Sequence, residues 1–306
     1  MRAIVIDDYG AAPPLVDIPS PDPVPGEVLV QVRASSLNGF DVAVASGMLR
    51  GAMDHRFPVV LGKDFAGVVA RVGEGVSRFA VGDPVFGVVM KPYLGDGGFA
   101  EYVTVGESYG VAPMPEGLDP ASAGAVGLAG AAALAALAAA ALAPADTVLI
   151  SGATGGVGAL AIQYARTAGA TVVATARPGQ ETDFVSGLGA HHILDRDGDL
   201  PAQLRAIAPD GLSAVLHLAG DAAQLTPLLA PGGRLASTLG YGVDQHPAAI
   251  AEMASPDADI LDRLAADIAA GRLRVPITRT YALDEVPAAI VDFRNGTVGK
   301  LAVAVQ

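Results

Sequence analysis

The arrangement of apolar and polar positions divides the 306-residue chain into two regions of different character. In residues 1–118, short runs of β-branched and apolar residues alternate with proline and glycine turns. This pattern predicts a small, mostly antiparallel β domain. The predicted strands of this region are 3–6, 28–34, 67–72, 83–89 and 100–105.

From residue 119 onward, runs typical of buried strands alternate with apolar positions at helical spacing, as expected for a parallel sheet with crossover helices. The later strands of this sheet are predicted at 171–175, 192–194, 214–218 and 234–238. They are followed by a predicted helix at 260–270, a strand at 277–281, a helix at 286–294 and a strand at 300–305. We expect this last portion to return to the first domain, so that one domain is 1–118 with 255–306 and the other is 119–254.

A segment without charged residues, 121–145, is about long enough to cross a bilayer. It consists mostly of alanine and glycine, with leucine only at 128, 134, 137 and 142. Alanine contributes little to membrane insertion, whereas small residues let a helix pack closely against a sheet or another helix. The composition therefore predicts a buried helix that leads into the second domain.

The stretch 147–177 has the pattern strand, glycine turn, helix, strand within about 30 residues, which is the context of a dinucleotide site. Glycines at the turn let the backbone approach a pyrophosphate, whose charge is stabilised by free amides at the helix N-terminus. The first glycine of the usual G-x-G-x-x-G spacing is replaced by alanine, and the alternative is a purely structural tight turn. The predicted dinucleotide contacts are Gly152, Ala153, Thr154, Gly155, Gly156, Val157 and Gly158.

The end of the next strand, Thr175-Ala176-Arg177, indicates which dinucleotide binds. An NAD site usually has an acidic residue there that holds the ribose hydroxyls, but this chain has no carboxylate before Glu181. The planar, permanently charged guanidinium of Arg177 suits a 2′-phosphate. We therefore predict NADPH, with Thr175 and Arg177 among its contacts. The alternative is a solvated loop arginine.

The acidic balance, a net charge of −13, argues against nucleic acid or an anionic membrane as a partner. Since there is no cysteine, disulfides and thiolate zinc sites are excluded, and a reducing compartment is compatible with the sequence. The N-terminus enters a strand without the apolar core of a signal peptide. These features together favour a cytoplasmic protein.

Five further segments complete the motifs of the chain: SSLNGFDVAVASG (35–47), FPVVLGKDFAGVVARVGEGVSRFAVGDPVFG (57–87), GGFAEYVTV (97–105), APGGRLASTLG (230–240) and VGKLAVAV (298–305). In this order, and with the glycine turn, they resemble the medium-chain dehydrogenase/reductase superfamily and, within it, the zinc-free quinone oxidoreductases. The resemblance covers nearly the whole chain. It implies an α/β protein with a GroES-like β domain, a Rossmann domain with a doubly wound parallel sheet, and an active-site cleft between the two.

The resemblance also bears on zinc. Zinc-dependent alcohol dehydrogenases are similar to this chain but carry a cysteine at the position of Asn38 and a histidine at that of Lys63. The lobe that holds a structural zinc is replaced by the short turn 91–97. Zinc requires three or four Cys, His or carboxylate ligands, and the five histidines show no ligand spacing. We predict that the protein holds no metal.

Without zinc, hydride transfer to an activated acceptor, a quinone or an α,β-unsaturated ketone, asks less of the protein than alcohol oxidation. In the family, the asparagine corresponding to Asn38 lies near the nicotinamide, where its amide can hydrogen-bond an acceptor oxygen; capping a loop is the alternative. Asp41 either orients a neighbour or caps a helix that opens at Val42. Lys63 either stabilises an oxyanion and donates a proton, or pairs with an aspartate and faces water.

Two further expectations come from the resemblance. Family members commonly pair their nucleotide domains edge to edge, so we expect a homodimer that pairs near 245–250, although Pro247 limits the ladder there. Cofactor contacts outside the glycine turn are expected at Leu218, Ala219, Leu239, Gly240 and Lys300.

We therefore expect an NADPH-dependent, zinc-independent oxidoreductase that transfers a hydride to a small quinone or activated alkene. One alternative is a dedicated enoyl or ketone reductase of a biosynthetic pathway. The other is a weakly catalytic NADPH-binding redox sensor. An open pocket at the nicotinamide would favour an enzyme, and a cleft plugged by the loop 47–57 would favour a sensor.

Overall fold

The computed structural model describes residues 1–305, which divide into two compact units. Unit 1 comprises Met1–Leu128 and the chain from Pro256 onward, and unit 2 is Ala129–Ser255. The first division falls inside a helix, later than the boundary predicted between 118 and 119. Residue 306, the last of the predicted first domain, lies outside the described residues.

The chain forms the following elements. The strands are β1 (Arg2–Ile6), β2 (Leu15–Asp17), β3 (Glu27–Leu37), β4 (Asp54–His55), β5 (Val59–Val60), β6 (Asp64–Val72), β7 (Pro84–Val88), β8 (Tyr93–Leu94), β9 (Tyr102–Gly106), β10 (Val111–Pro113), β11 (Thr147–Ser151), β12 (Thr171–Ala176), β13 (His192–Asp195), β14 (Leu212–His217), β15 (Leu229–Ser237), β16 (Ala249–Ala251), β17 (Ile277–Ala282) and β18 (Lys300–Ala304). The α-helices are α1 (Gly39–Ser46), α2 (Pro120–Ala140), α3 (Gly156–Thr167), α4 (Gln180–Leu188), α5 (Leu200–Arg205), α6 (Ala222–Leu225), α7 (Ala258–Ala269) and α8 (Val286–Arg294).

Unit 1 is built on a seven-stranded sheet in the order β10-β7-β6-β3-β18-β17, with β9 also paired to β3. All of its pairs are antiparallel except β17 with β18. Its core is apolar and includes the fully buried Phe65 and Phe99. Because β18 pairs with β3, joining Leu301 to Leu37, the C-terminal segment completes the sheet. The predicted β domain is confirmed.

Unit 2 is a six-stranded, wholly parallel sheet in the order β13-β12-β11-β14-β15-β16. The chain runs outward from β11 to β12 and β13 and then returns to β14 on the other side of β11. Such a reversal of strand order is the switch point at which doubly wound sheets bind ligands. The predicted Rossmann-type sheet is confirmed. The edge strand β16 overlaps the end of the segment 245–250, and the homodimer stays a prediction.

The alanine-rich helix α2 owes its burial to small residues. It alone within residues 1–305 is long and apolar enough to cross a membrane by length and composition, and 72% of its most apolar 18-residue window is buried inside the protein. A Cβ atom added to Gly124 would lie 2.8 Å from the carbonyl oxygen of Ala34, and one added to Gly127 would lie 2.9 Å from Val88. The predicted buried helix is confirmed. Its close approach to the strands of unit 1 requires glycine at these two positions.

Two predicted boundaries are wrong. Helix α1 begins at Gly39 and not at Val42, because Asn38 is its N-cap and Asp41 lies three residues further, where its carboxylate accepts the Asn38 N–H at 2.8 Å. Strand β15 begins at Leu229, before the predicted start at 234. Its first half carries one proline and two glycines, which signal a turn in sequence but are accommodated here beside an irregular register with β14.

The turn 91–97, which includes β8, is held by one lysine. The ammonium of Lys91 lies 3.0 Å from a Glu27 carboxylate oxygen and 2.7 Å from one of Asp96, and it donates to Thr104 Oγ1. The Lys91 side chain is only 11% exposed. Tyr93 also donates to Asp96, at 3.1 Å. An ion-pair cluster therefore fixes the segment that lies between β7 and β9.

We expect Lys91→Met to lower the free energy of unfolding by about 3 kcal/mol, because Glu27 and Asp96 would remain close together without their cation. Urea unfolding at neutral pH measures this. The matched control is Arg71→Met, which removes the exposed pair with Asp22 and should cost less than about 1 kcal/mol. Equal losses in the two variants would contradict a special role for Lys91.

Candidate active site

A buried carboxylate organises the predicted catalytic residues of unit 1. Asp64, at the start of β6, is 0% exposed. Its Oδ2 accepts hydrogen bonds from Ser36 Oγ at 2.6 Å and Asn38 Nδ2 at 2.8 Å, and Lys300 Nζ lies 3.5 Å away. Its Oδ1 accepts the backbone N–H of Leu128 at 2.8 Å. Both oxygens are therefore satisfied, as burial of a carboxylate requires.

These neighbours fix the orientation of the Asn38 amide. Lys300 can only donate and carboxylate oxygens accept, so the amide oxygen faces Lys300 Nζ, at 2.7 Å, and the amide nitrogen faces Asp64. The second N–H of the amide points to the carbonyl oxygen of Ser36, at 3.3 Å. Both amide hydrogens are thus used inside unit 1. The predicted hydrogen bond from Asn38 to an acceptor oxygen has no free donor in this arrangement.

Lys300 belongs to this cluster. Its side chain is 3% exposed, and it donates to the carbonyl oxygen of Leu37 as well as to Asn38. Burial lowers the pKa of Lys300, and the nearby Asp64 and Asp41 oppose that shift. The resemblance assigned Lys300 to the cofactor; the structure places its ammonium among the predicted catalytic residues, and a cofactor contact stays a prediction.

Lys63 is buried beside the same carboxylates but is not paired with them. It is 8% exposed, donates to the carbonyl oxygen of Val89 and lies with its ammonium 5.1 Å from the centre of the Phe40 ring. In the described part of the chain it forms no ion pair with Asp41 or Asp64. Burial lowers the pKa of Lys63, and the two aspartates offset part of that shift. The alternative of a solvated lysine–aspartate pair is not what the structure shows.

Asp41 is a completely buried carboxyl group whose pKa is strongly raised. Burial raises its pKa to about 7, an effect that the Asn38 N–H opposes and the charge of Asp64 reinforces. Asp41 and Lys63 line a cavity of about 10 Å³ together with Phe40, Val44 and Leu94. That volume admits about one water molecule. A larger groove, of about 680 Å³, runs along β15 and residues 246–250 of unit 2 and contains none of the predicted site residues.

The glycine turn of unit 2 has the geometry of a dinucleotide site. Gly152 has a φ of 79°, which favours glycine, and a Cβ added to Gly158 would lie 2.4 Å from the Gly152 carbonyl oxygen. Gly155 is the N-cap of α3. A Cβ atom added to Gly155 would have only the Gly152 carbonyl oxygen within 4 Å. The first amides of α3 have no carbonyl partner within the helix. These features fit a pyrophosphate at the turn.

The predicted phosphate ligand Arg177 lies just past β12, with its side chain 55% exposed. Its Nε donates to Asp197 at 2.8 Å, and its backbone N–H donates to Glu181 at 2.8 Å. Arg196 lies 3.7 Å from the same Glu181 carboxylate. Glu181 lies in the first turn of α4, and this position brings its carboxylate to the end of β12.

The remaining predicted cofactor residues of unit 2 also follow strand ends. Leu218 and Ala219 come directly after β14, and Leu239 and Gly240 come shortly after β15. The carbonyl oxygen of Ala219 accepts a hydrogen bond from Ser151 at the end of β11, at 2.6 Å. Thr175 lies inside β12, and its hydroxyl accepts the N–H of Gly152 at 3.3 Å. These residues share the carboxyl edge of the sheet with Gly152.

No group of three or more His, Cys, Asp or Glu side chains within residues 1–305 is arranged to hold a metal ion. His217 is buried in unit 2 and makes two hydrogen bonds there. The absence of a metal in the working protein stays a prediction.

Comparison with known proteins agrees with the two units. Residues 24–116 match the model of the alcohol dehydrogenase GroES-like domain, and residues 156–256 match that of the zinc-binding dehydrogenases. The quinone-oxidoreductase QR1 of Triphysaria versicolor is 35% identical over 72% of this chain and 68% of its own length. A mycocerosic acid synthase-like polyketide synthase of Mycobacterium tuberculosis is 38% identical over 88% of this chain, which spans 14% of that protein.

Solved structures show the same fold over the whole chain. A quinone oxidoreductase from Coxiella burnetii has a TM-score of 0.92 and 30% identity, covering 100% of this chain and 99% of its own. A mycobacterial protein solved in complex with NADPH has a TM-score of 0.86 and 25% identity, with 99% of both chains covered. The GroES-like unit and the Rossmann-type unit thus define an oxidoreductase of the medium-chain dehydrogenase/reductase type that uses a nicotinamide cofactor. Within that superfamily, the chain belongs to the quinone oxidoreductase family.

The sequence analysis missed the roles of three residues, two in unit 1 and one in unit 2. Asp64 was considered only as a partner of Lys63, and Ser36 was not considered. His217 was weighed only as a metal ligand. For Asp64 a signal was available: the polar pair Lys63-Asp64 stands at the start of a mostly apolar strand, and polar residues at a buried strand need partners.

The pKa of Asp41 leads to a prediction about stability. Because this pKa is raised from 3.8 to about 7, the folded protein keeps a proton that the unfolded chain releases. The resulting stabilisation is complete below pH 4 and is lost as the pH rises through 7. We expect the wild type to lose about 2–3 kcal/mol relative to Asp41→Asn between pH 5 and pH 8.

Urea unfolding of both proteins across that range measures the difference. The same replacement at the exposed Asp22, whose side chain is 82% exposed, is the control and should follow the wild-type profile. Parallel profiles for the wild type and Asp41→Asn would show that Asp41 ionises as freely in the folded protein as in the unfolded chain.

Proposed function

We propose that the protein is an NADPH-dependent, zinc-independent reductase that adds a hydride and a proton to a small quinone or activated alkene. The observation that carries this proposal is the Lys63 ammonium. It is buried, it makes a single hydrogen bond among the described residues, to Val89, and it borders a cavity that admits water. Its remaining N–H groups are free to meet an acceptor oxygen.

Lys63 provides what the acceptor requires from the protein. NADPH, when bound, supplies the hydride. Reduction of a quinone or an enone also places negative charge on the acceptor oxygen, which must be stabilised and then protonated. A buried ammonium does the first, and its lowered pKa favours the second. We assign this role to Lys63 and not to Asn38, because the amide hydrogens of Asn38 are already used.

The preference for NADPH is supported by the arginines of unit 2. Arg177 and Arg196 flank the strand end where the adenosine ribose of a dinucleotide lies in such sheets. Glu181, a carboxylate at that end, already accepts the Arg177 N–H. The similarity to the mycobacterial structure solved with NADPH points the same way.

A second candidate is an enoyl reductase of a biosynthetic pathway. The observation that favours it is the similarity of 88% of this chain to part of a polyketide synthase. The chemistry asked of Lys63 is the same for both candidates, because both acceptors are activated alkenes or quinones whose oxygen becomes negatively charged.

NADPH oxidation measured against a panel of quinones, simple enones, enoyl thioesters and aldehydes tests the proposal. We expect turnover with quinones or enones and little with aldehydes. Turnover confined to enoyl thioesters would favour the second candidate. Tight binding of NADPH without oxidation by any acceptor would contradict both and favour a redox sensor.

Arg177→Ala should weaken NADPH binding by roughly ten- to a hundredfold, because a charge-assisted contact to phosphate contributes about 1.5–3 kcal/mol. NADH binding should change little. Asp197→Asn should have the opposite effect on NADPH affinity, because it removes the carboxylate that holds Arg177 Nε. NADPH binding should become about two- to fivefold stronger, which is the range of exposed ion pairs. Titration of both nucleotides by fluorescence measures these changes. Equal affinity of the wild type for NADPH and NADH would overturn the assignment.

Lys63→Met should lower kcat more than tenfold with NADPH affinity almost unchanged, because the lost interaction belongs to the transition state. Lys63→Arg separates the two roles, since a guanidinium keeps the charge but does not give up its proton. Retained activity in Lys63→Arg indicates oxyanion stabilisation, and lost activity indicates proton donation. Unchanged kcat in Lys63→Met, with an acceptor whose reduction limits the rate, would leave Lys63 a structural residue.

A further inference from the structure

The carboxyl ends of two neighbouring strands in unit 2 are joined by side chains. His217 ends β14 and Ser237 ends β15, and the two are direct partners in the parallel register. Both are buried, with exposures of 4% and 0%. His217 Nδ1 lies 2.9 Å from Ser237 Oγ, and Nε2 lies 3.0 Å from the carbonyl oxygen of Gly220.

The hydrogen atoms of this contact can be assigned. Ser237 Oγ accepts the backbone N–H groups of Leu239, at 3.1 Å, and Tyr241, at 3.3 Å. A hydroxyl has two acceptor lone pairs and one hydrogen, so the Ser237 hydrogen is directed at His217 Nδ1. The imidazole therefore carries its own hydrogen on Nε2 and donates it to Gly220. One histidine thus connects the segment 218–220 to the segment 238–241.

The position of this pair along the sheet indicates which half of the cofactor it serves. The glycine turn follows β11, and Arg177 follows β12 on one side of β11. A dinucleotide whose pyrophosphate lies at the turn and whose 2′-phosphate lies at Arg177 must extend its other half over β14 and β15. That half carries the nicotinamide.

We propose that His217 is a positioning residue, which ties the segments 218–220 and 238–241 together so that they form a preformed seat for the nicotinamide half of NADPH. This inference rests on the proposed function, in which these segments contact the cofactor. His217 touches neither the reacting atoms nor the adenosine half. Its loss should therefore be felt only by ligands that carry the nicotinamide.

The experiment compares two ligands: NADPH, and 2′,5′-ADP, which has the phosphate and adenosine but no nicotinamide. His217→Ala should weaken NADPH binding by roughly tenfold, because two buried hydrogen bonds are lost, and should leave 2′,5′-ADP binding within about twofold of the wild type. Arg177→Ala should weaken both ligands. His192→Ala, at an exposed histidine of the same sheet, is the matched control and should change neither.

Two conservative variants separate the two hydrogen bonds. His217→Asn keeps an acceptor near the position of Nδ1, toward Ser237, and His217→Gln keeps a donor near the position of Nε2, toward Gly220. Each should restore part of the NADPH affinity, and each should protect one segment from amide hydrogen exchange, 238–241 in the first and 218–220 in the second. Ser237→Ala combined with His217→Ala should cost less than the sum of the single changes.

The inference is overturned if NADPH affinity in His217→Ala stays within about twofold of the wild type, or if 2′,5′-ADP binding falls in parallel, as general destabilisation would cause. If His217→Ala does not fold, the asparagine and glutamine variants decide by the same comparison. A wild type that binds 2′,5′-ADP but not NADPH would overturn it as well. A wild type that binds neither ligand contradicts the proposed function itself.

Discussion

The structure of unit 1 depends on one buried carboxylate, which must be hydrogen-bonded and paired by protein groups in place of water. Asp64 is completely buried, and its partners come from β3, from the helix α2 and from the last strand, β18. A buried charge without partners costs several kcal/mol, so these three segments are bound to one another through it. The orientation of the Asn38 amide follows from this requirement, and so does the burial of Lys300. Lys63, to which we assign the chemistry, lies beside this cluster, whose groups already have their partners.

Local features of the fold could be predicted from the sequence, whereas contacts between distant parts of the chain could not. The glycine turn and α8 were predicted because their signals lie within a few residues, and α8 has the predicted bounds, Val286–Arg294. Lys300 and Asn38 meet across 262 positions of the chain, and no periodicity reports such a contact. The contact of Glu181 with the strand end was not predicted either, because it depends on where the first turn of α4 places the Glu181 carboxylate. The return of the C-terminal segment to the first domain was expected, but its pairing with β3 was not predicted.

The cluster around Asp64 is organised by charge and by hydrogen bonds among protein groups. At the positions where related zinc enzymes hold ligands, this chain has an amide and an ammonium. The amide is immobilised by its neighbours, whereas the ammonium of Lys63 keeps unshared hydrogens. A fixed lysine provides a single positive charge and a transferable proton, which suits an acceptor that is already activated. In unit 2, the strand ends are likewise linked by hydrogen bonds of side chains and backbone.

Because α2 packs closely against the sheet of unit 1, few amino-acid substitutions can be accommodated on that face of the helix. Since a single methyl group at Gly124 would collide with the backbone of Ala34, that face of the helix accepts almost no substitution. Any redesign of α2 therefore has to keep glycine at positions 124 and 127, where the helix meets the strands of unit 1.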